Sequence, residues 1–410
     1  MRWVFVLSCK LLFTAKTLKQ SSVWFAVLGM AFGVACLVVS MSVMGGFEAT
    51  LKKTMTDVTG HLVVVQRSMD DSKSEVLQEK IKQLLPSYVA SLPFVKVEGL
   101  VAQADKGVSG VILQGVAAEE LNQVLSLQGR LIQGRLDLKN QDNEKVKAVI
   151  GKGLAQSFDL QVGQDFKVIL PIADPYQAQG FRRKIIQLNV TGIVDVGTHD
   201  WNQRLIITDI QALQVAADMG PQFLGLLVKL SHPDLALAGA RVLSEGLGVG
   251  YFVTHWRELN QNLFDAVAIE KPTIFLIVLL LEIVAAFNIS SYLFVHVLRR
   301  YPDISILKTL GLSQKKIQWL FLFQGLLLGG VGLVLGFALG KLFSWAFLYL
   351  QSHWGVIDGA VYRLDHIQTQ LGIWDFIIIS VFTLVICAMA TVAPARRGAR
   401  LNPVQGLRYD

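Results

Sequence analysis

The chain has 410 residues, 52% of them hydrophobic, and its 38 basic and 31 acidic side chains leave a net charge of +7. A mean hydropathy of +0.47 excludes an ordinary globular enzyme and fits a chain divided between membrane and water. The positive charge argues against nucleic-acid binding, because it sits in short segments: residues 45–272 hold 23 basic against 25 acidic side chains, leaving no basic stripe.

Arg2, Lys10, Lys16 and Lys19 open the chain with no acid among residues 1–20. An apolar run at 22–44 follows, with the roughly 20 residues that cross a hydrocarbon core. It exceeds the roughly 7–15 apolar residues of a signal peptide, so an uncleaved span is expected. Phe47, Leu51, Met55 and Val58 then recur at helical spacing, and residues 61–66 read as a strand. Residues 74–85 predict an amphipathic helix with Val76, Ile81, Leu84 and Leu85 on its apolar face. Strands are expected at 95–102, 110–116, 148–150, 165–170, 185–196, 204–207 and 223–230, and residues 250–253 lead into the descent to the second span. Helices are expected near 153–158, 210–217 and 235–247, and His199-Asp200 reads as a solvated polar turn. The outer domain, 45–272, is thus α+β, mostly antiparallel, in two lobes with the middle one at about 107–190. It holds none of the three cysteines, so it has no disulfide.

A polar helix opening at His255-Trp256-Arg257 runs into a second span at 273–298. Two helices crossing the interface unbroken serve either as levers or as tethers. A loop at 299–316, a span at 317–350, an outer loop at 351–372, a span at 373–393 and a tail at 394–410 complete the chain. The fold class is an α-helical membrane protein with four transmembrane helices, 1 + 3, around a large α+β outer domain. Arg299, Arg300, Lys308, Lys315 and Lys316 in the loop and Arg396, Arg397 and Arg400 in the tail place both termini in the cytoplasm. In the third span Gly325 and Gly329, then Gly332, Gly336 and Gly340, fall at the spacing that lets helix backbones approach. Glu282 inside the second span is costly in lipid and points to either a packing contact or a transport role; Asn288, Ser290 and Ser291 are candidate neighbours.

No G-x-x-x-x-G-K-[ST] phosphate loop, H-E-x-x-H or G-x-S-x-G is present, and the seven histidines lack ligand spacing. The chain reads as non-enzymatic, without metal or cofactor of its own. In the loop after the second span, Pro302 starts a short helix and Gly311 ends it. Ile304, Leu307 and Leu310 form an apolar stripe that can plug into a groove of a cytoplasmic partner.

That loop, with Asp303, Ile306-Leu307, Thr309 and Gly311, resembles the coupling loop of the LolC/LolE lipoprotein-releasing permeases, in the wider group of MacB and FtsX. Asp303 stands where Glu is usual and Ser305 where Ala is common. Residues 42–48, 264–271, 285–289 and 394–409 are similar to further segments of the family, with Gly46 in place of a frequent Asn and Gln405-Gly406 in place of an acidic-Ala pair. The resemblance covers essentially the whole chain. It implies a bacterial inner-membrane permease whose outer domain is periplasmic. It also implies a cytoplasmic LolD-like ABC ATPase dimer that binds ATP and Mg, and a second permease subunit, LolE-like or another copy of this chain. The cargo would be triacylated lipoproteins, passed to a LolA-like periplasmic carrier.

The coupling residues implied are Asp303, Ile304, Ile306, Leu307, Thr309 and Gly311. A hairpin carrying Pro171, Pro175, Tyr176, Phe181, Arg182 and Arg183 sits where the LolC branch captures its carrier. Its prolines and Gly180 disfavour a regular ladder, and it reads either as that hook or as a solvated hairpin. Met41, Met44, Phe47, Phe264, Val267 and Ile274 are candidates for the lipoprotein path or for ordinary helix packing. The alternative function is an FtsX-like regulator that transmits ATPase movement to outer-face partners without transport.

Overall fold

The computed structural model describes residues 8, 21–67, 74–103, 106–139, 145–173, 181–354 and 368–402. Among them the chain forms two compact units, one of residues 21–48, 265–354 and 368–402 and the other of residues 49–264. The leader other than Ser8, most of the outer loop and the tail beyond Asn402 lie outside the described residues.

The first helix, α1 (Ser21–Thr59), carries its end into the second unit, where Gly60 stops it at a φ of +71°. There follow β1 (Leu62–Gln66), α2 (Ser74–Leu84), β2 (Tyr88–Gln103), β3 (Gly107–Val116), α3 (Leu121–Val124), β4 (Leu131–Gly134) and β5 (Val146–Gly151). Next come α4 (Lys152–Phe158), β6 (Asp165–Ala173), β7 (Phe181–Val194), α5 (His199–Arg204), β8 (Leu205–Asp209), α6 (Ile210–Ala216), β9 (Gly225–Leu230), α7 (Ala236–Leu247) and β10 (Tyr251–His255). The strands form one hydrogen-bonded sheet in the order β10-β1-β9-β2-β3-β8-β5-β7-β4, with β6 joined to β2 and β7. Pairing is antiparallel except for β3 with β8 and β5 with β7. The stretch expected as a middle lobe contributes β3–β7 to this same sheet. One core joins Leu92 and Phe94 of β2, Val149 of β5, Val194 of β7 and Leu227 of β9.

Three local expectations are corrected. On α2 the buried residues are Leu77 and Ile81, while Val76 is 66% exposed. Val76 lies five residues from Ile81, about 140° around a 3.6-residue helix, whereas Leu77 lies about 40° away. The strand expected from Val95 begins at Tyr88, and Pro93 sits inside it opposite Leu226. His199-Asp200, expected in a turn, opens α5.

Two interactions order this unit around the end of α1. Arg130 donates from Nε (2.9 Å) and Nη2 (2.7 Å) to Asp57 Oδ2, and both side chains are largely buried. His61, just beyond α1, accepts the Leu230 backbone N–H on Nδ1 at 3.0 Å and is buried. Burial, and then the Lys229 charge, push its pKa down to about 4.

The first unit contains α1 up to Glu48 and, from Asp265 onward, α8 (Gln261–Arg299), together with α9 (Tyr301–Thr309), α10 (Gln314–Trp354) and α11 (Ile373–Arg400). Among the described residues four helices (α1, α8, α10, α11) are long and apolar enough to cross a membrane. The glycines of α10 divide between two partners. A Cβ on Gly332, Gly336 or Gly340 would run into Met30, Val34 or Val38 of α1, at 2.8, 2.5 and 2.6 Å. One on Gly325 or Gly329 would strike Thr391 or Cys387 of α11. Each stripe therefore admits a neighbouring helix at backbone distance, the arrangement that packs helices in lipid. Glu282 of α8 is fully buried and accepts a hydrogen bond from the Thr383 hydroxyl of α11. Its partner is thus on another span rather than at Asn288, Ser290 or Ser291.

At the other end of the bundle, residues 368–370 cross directly over α1. The Gln370 N–H donates to the Ser42 carbonyl at 2.9 Å. A Cβ on Gly45 or Gly46 would enter the carbonyl oxygens of Gln370 or Gln368. Beside this crossing Lys271 of α8 pairs with Asp375 of α11 at 3.3 Å, and Asp375 accepts the Gly372 N–H at 3.2 Å.

Gly336→Leu is expected to lower the melting temperature of the detergent-solubilised protein through an overpacking cost of about 1–3 kcal/mol. Gly330→Leu, at a position with open space around it, should leave it unchanged. For His61, the unfolded ring takes up its proton near pH 6.5 and the folded ring only near 4. Its stabilising contribution is therefore complete above pH 6.5 and is lost as pH falls toward 4. Denaturant unfolding should show a loss of up to about 3 kcal/mol over that window, diminished in His61→Gln.

Candidate functional site

The short helix α9 is built to present one face outward. Pro302 lies in its first turn, where a missing N–H costs nothing, and Gly311 terminates it at a φ of +90°. Arg300 Nη1 meets Asp303 Oδ2 at 2.9 Å, and the Ser305 hydroxyl returns to the Tyr301 carbonyl at 3.0 Å. Ile304 is 3% exposed and packs with Val297, Ile317, Leu320, Phe321, Ala395 and Ala399, so the back of α9 belongs to the bundle core. Leu307 turns into a crevice that it shares with His296 and Gln324.

The predicted stripe of Ile304, Leu307 and Leu310 is thereby divided. The outward apolar pair is Ile306 (48% exposed) with Leu310 (75% exposed), four residues apart and about 40° around the helix. Thr309 is exposed between them and donates its hydroxyl to the Ile306 carbonyl at 2.8 Å. The end of α11 is tied to the same helix: Lys308 Nζ donates to the Leu401 carbonyl at 2.5 Å and the Tyr301 hydroxyl to the Asn402 carbonyl at 2.9 Å. Partial burial lowers the Lys308 pKa.

In the second unit the hairpin arms pair regularly through Pro171 with Arg183, Ile172 with Arg182 and Ala173 with Phe181. The ladder expected to be irregular tolerates Pro171 because β2 pairs with β6 only at Val168 and Ile169, leaving β6 without a second neighbour there. Arg182 is engaged internally, 2.5 Å from Asp218, which Lys184 also reaches at 2.6 Å. Lys184 first, then Arg182, hold the Asp218 carboxyl below the usual range. Arg183 is exposed two residues from Ile185, itself 63% exposed. Pro175, Tyr176 and the Phe181 side chain lie outside the described residues.

Residues 23–242, more than half the chain, match the family model of the MacB-like periplasmic core domain, and residues 274–403 match that of the FtsX-like permease C-terminal domain. The chain is 29% identical to the lipoprotein-releasing system transmembrane protein LolC of Neisseria meningitidis serogroup B, covering 94% of this chain and 93% of that one. It is 26% identical to LolC of Xylella fastidiosa over the same shares, and 27% identical to LolE of Haemophilus influenzae over 93% of each chain. The chain belongs to the LolC/LolE family of MacB/FtsX-like permeases.

In this LolC/LolE-type permease the six path candidates are packed inside their own units. Met41, Met44 and Val267 are buried, and Phe47 and Ile274 are half-buried. Phe264 is buried edge-on to Trp256, with ring centroids 5.1 Å apart. The exposed apolar stripe of α8 lies at Leu276, Ile277, Leu280, Leu281, Val284 and Phe287 instead. Sequence reasoning missed the Lys271–Asp375 pair and the Gly45–Gly46 crossing; the Gly-Gly step inside an apolar helix was the available signal.

Leu310→Asp on the outward face of α9 is expected to cut co-purification of an ATPase subunit by about tenfold or more, while leaving the melting temperature unchanged, because it removes an exposed apolar anchor. Ile304→Asp should instead destabilise the permease by several kcal/mol, since it buries an unpaired charge. Pull-down and thermal unfolding of the two variants side by side separate these outcomes.

Proposed function

We propose that this chain is a permease subunit of an ATP-driven ABC transporter that extracts lipoproteins from the inner membrane and passes them to a periplasmic carrier. The observation that carries the reading is α9: an apolar outward face on a helix whose back is held in the bundle core and whose flank is tied to the end of α11. Such a helix transfers force from a separate engine. A LolD-like ATPase dimer, holding ATP and Mg, docks on Ile306 and Leu310, with Asp303, Ile304, Leu307, Thr309 and Gly311 shaping the helix behind them. The basic loop and tail support a cytoplasmic position for this face and both termini.

Energy input is physically required. Exposing acyl chains to water costs about 0.8 kcal/mol per CH₂, so a triacylated anchor does not leave the bilayer unaided. A second permease subunit, LolE-like or another copy of this chain, completes a sheltered path. That path is lined by Met41, Met44, Phe47, Phe264, Val267 and Ile274 once the helices separate. The hairpin, through Pro171, Pro175, Tyr176, Phe181 and Arg183, receives a LolA-like carrier. Arg182 braces its base on Asp218. The unbroken helix α1 supports a mechanical role, and an FtsX-like regulator without transport would use the same helix.

Depletion of the protein followed by membrane fractionation separates the two. Outer-membrane lipoproteins are expected to accumulate in the inner membrane. Normal sorting after depletion would leave only the regulator.

A further inference from the structure

Under the coupling helix lies a crevice whose deepest polar side chains are not paired. Gln324 of α10 is fully buried, and neither its Nε2 nor its Oε1 has a hydrogen-bond partner. His296 of α8 is buried too, and its Nε2 has none, while its Nδ1 lies 3.4 Å from the Tyr292 hydroxyl. Both residues line the crevice together with Arg300, Asp303 and Leu307. Its free volume, about 10 Å³, is room for one water at most and is bordered by apolar atoms only, so a water there would not meet these groups. Buried polar groups left unpaired are costly, and here a partner has to come from the protein itself.

We infer that α9 has two seats on the bundle, and that in the second one Asp303 and Arg300 turn inward and pair with the Gln324 carboxamide. The chemistry matches. A carboxylate only accepts and a guanidinium only donates, so Asp303 serves Nε2 of Gln324 and Arg300 serves Oε1. His296 Nε2, on the same crevice, takes Asp303 as acceptor or Arg300 as donor according to its tautomer. In the seat described above the two charged groups are engaged with each other, Arg300 Nη1 to Asp303 Oδ2 at 2.9 Å. Both are partly exposed, so that pair contributes little to stability and its exchange costs little. The joints permit the movement. Arg300, between α8 and α9, leaves the helical conformation at a φ of −96° and a ψ of 18°, and Gly311, between α9 and α10, has a φ of +90°. The nine-residue helix can thus rock about Ile304 while the long helices keep their places. Ile306 and Leu310 face outward, where the proposed ATPase presses. The inference therefore rests on that docking and deepens it: a push on α9 is registered in the spans as a change of partner at Asp303.

The test uses the full chain in nanodiscs with trifluoromethylphenylalanine in place of the exposed Leu310, followed by fluorine NMR with saturation transfer, which detects minor conformers. The otherwise unaltered chain should show two environments in exchange. Gln324→Met keeps the length of the side chain and removes both polar atoms; Asp303→Ala removes the acceptor. Each should leave a single environment. Gln324→Met should also raise the melting temperature of the unlabelled chain by a few degrees, because it no longer buries an unpaired amide. One environment in the unaltered chain, two environments persisting in either variant, or a melting temperature that Gln324→Met lowers or leaves unchanged overturns the inference. Lipoprotein release by the unlabelled chain assembled with its ATPase is measured alongside. Release with a single environment removes the second seat alone, whereas two environments without release remove the transport reading and leave a helix with two seats.

Discussion

Backbone-distance packing on α10 is the constraint on which the membrane unit depends. Lipid offers helices no hydrophobic reason to associate, so they must gain from close contact itself. The two glycine stripes of α10 provide it on two sides, one for α1 and one for α11. With those contacts made, Glu282 reaches Thr383 across the interior and Ile379 and Cys387 join a core with Met30, Val34 and Leu293. The polar groups inside the bundle follow from this packing; they do not create it.

The same economy is visible in one local attachment within each unit. In the membrane unit α9 is a helix of nine residues, too short to be stable alone, and it is held by Ile304 in the core and by the Leu401 and Asn402 carbonyls. In the second unit the last turns of α1 are held by Arg130, which donates twice to Asp57 Oδ2. Because that pair is largely buried, removing either partner would strand a charge, which makes it a firm attachment between helix and sheet. The helix that carries this attachment is 39 residues long.

Those parts that depend on composition over many residues were legible from the sequence. The four apolar runs each lie within a long helix, and the glycine spacing on α10 corresponds to real neighbours. What escaped depended on which way single residues face or on distant partners. Val76 and Leu77 are adjacent and similar in character, and only the register of α2 against the sheet chooses between them. Leu307 and Leu310 were alike as apolar positions until the bundle claimed one side of α9. The first half of β2 was hidden by Pro93, a residue that normally argues against a strand. Thr383 lies 101 residues from Glu282, and nothing local to either residue announces the other.

The crossing of residues 368–370 over Gly45 and Gly46 has a mechanical meaning. A smooth cylinder can be spun in place, but here α1 is keyed. Turning it by one residue, about 100°, would replace a bare glycine with the side chain of Met44 or Phe47 against the carbonyls of Gln368 and Gln370. Torsion is thus blocked where residues 368–370 cross the helix.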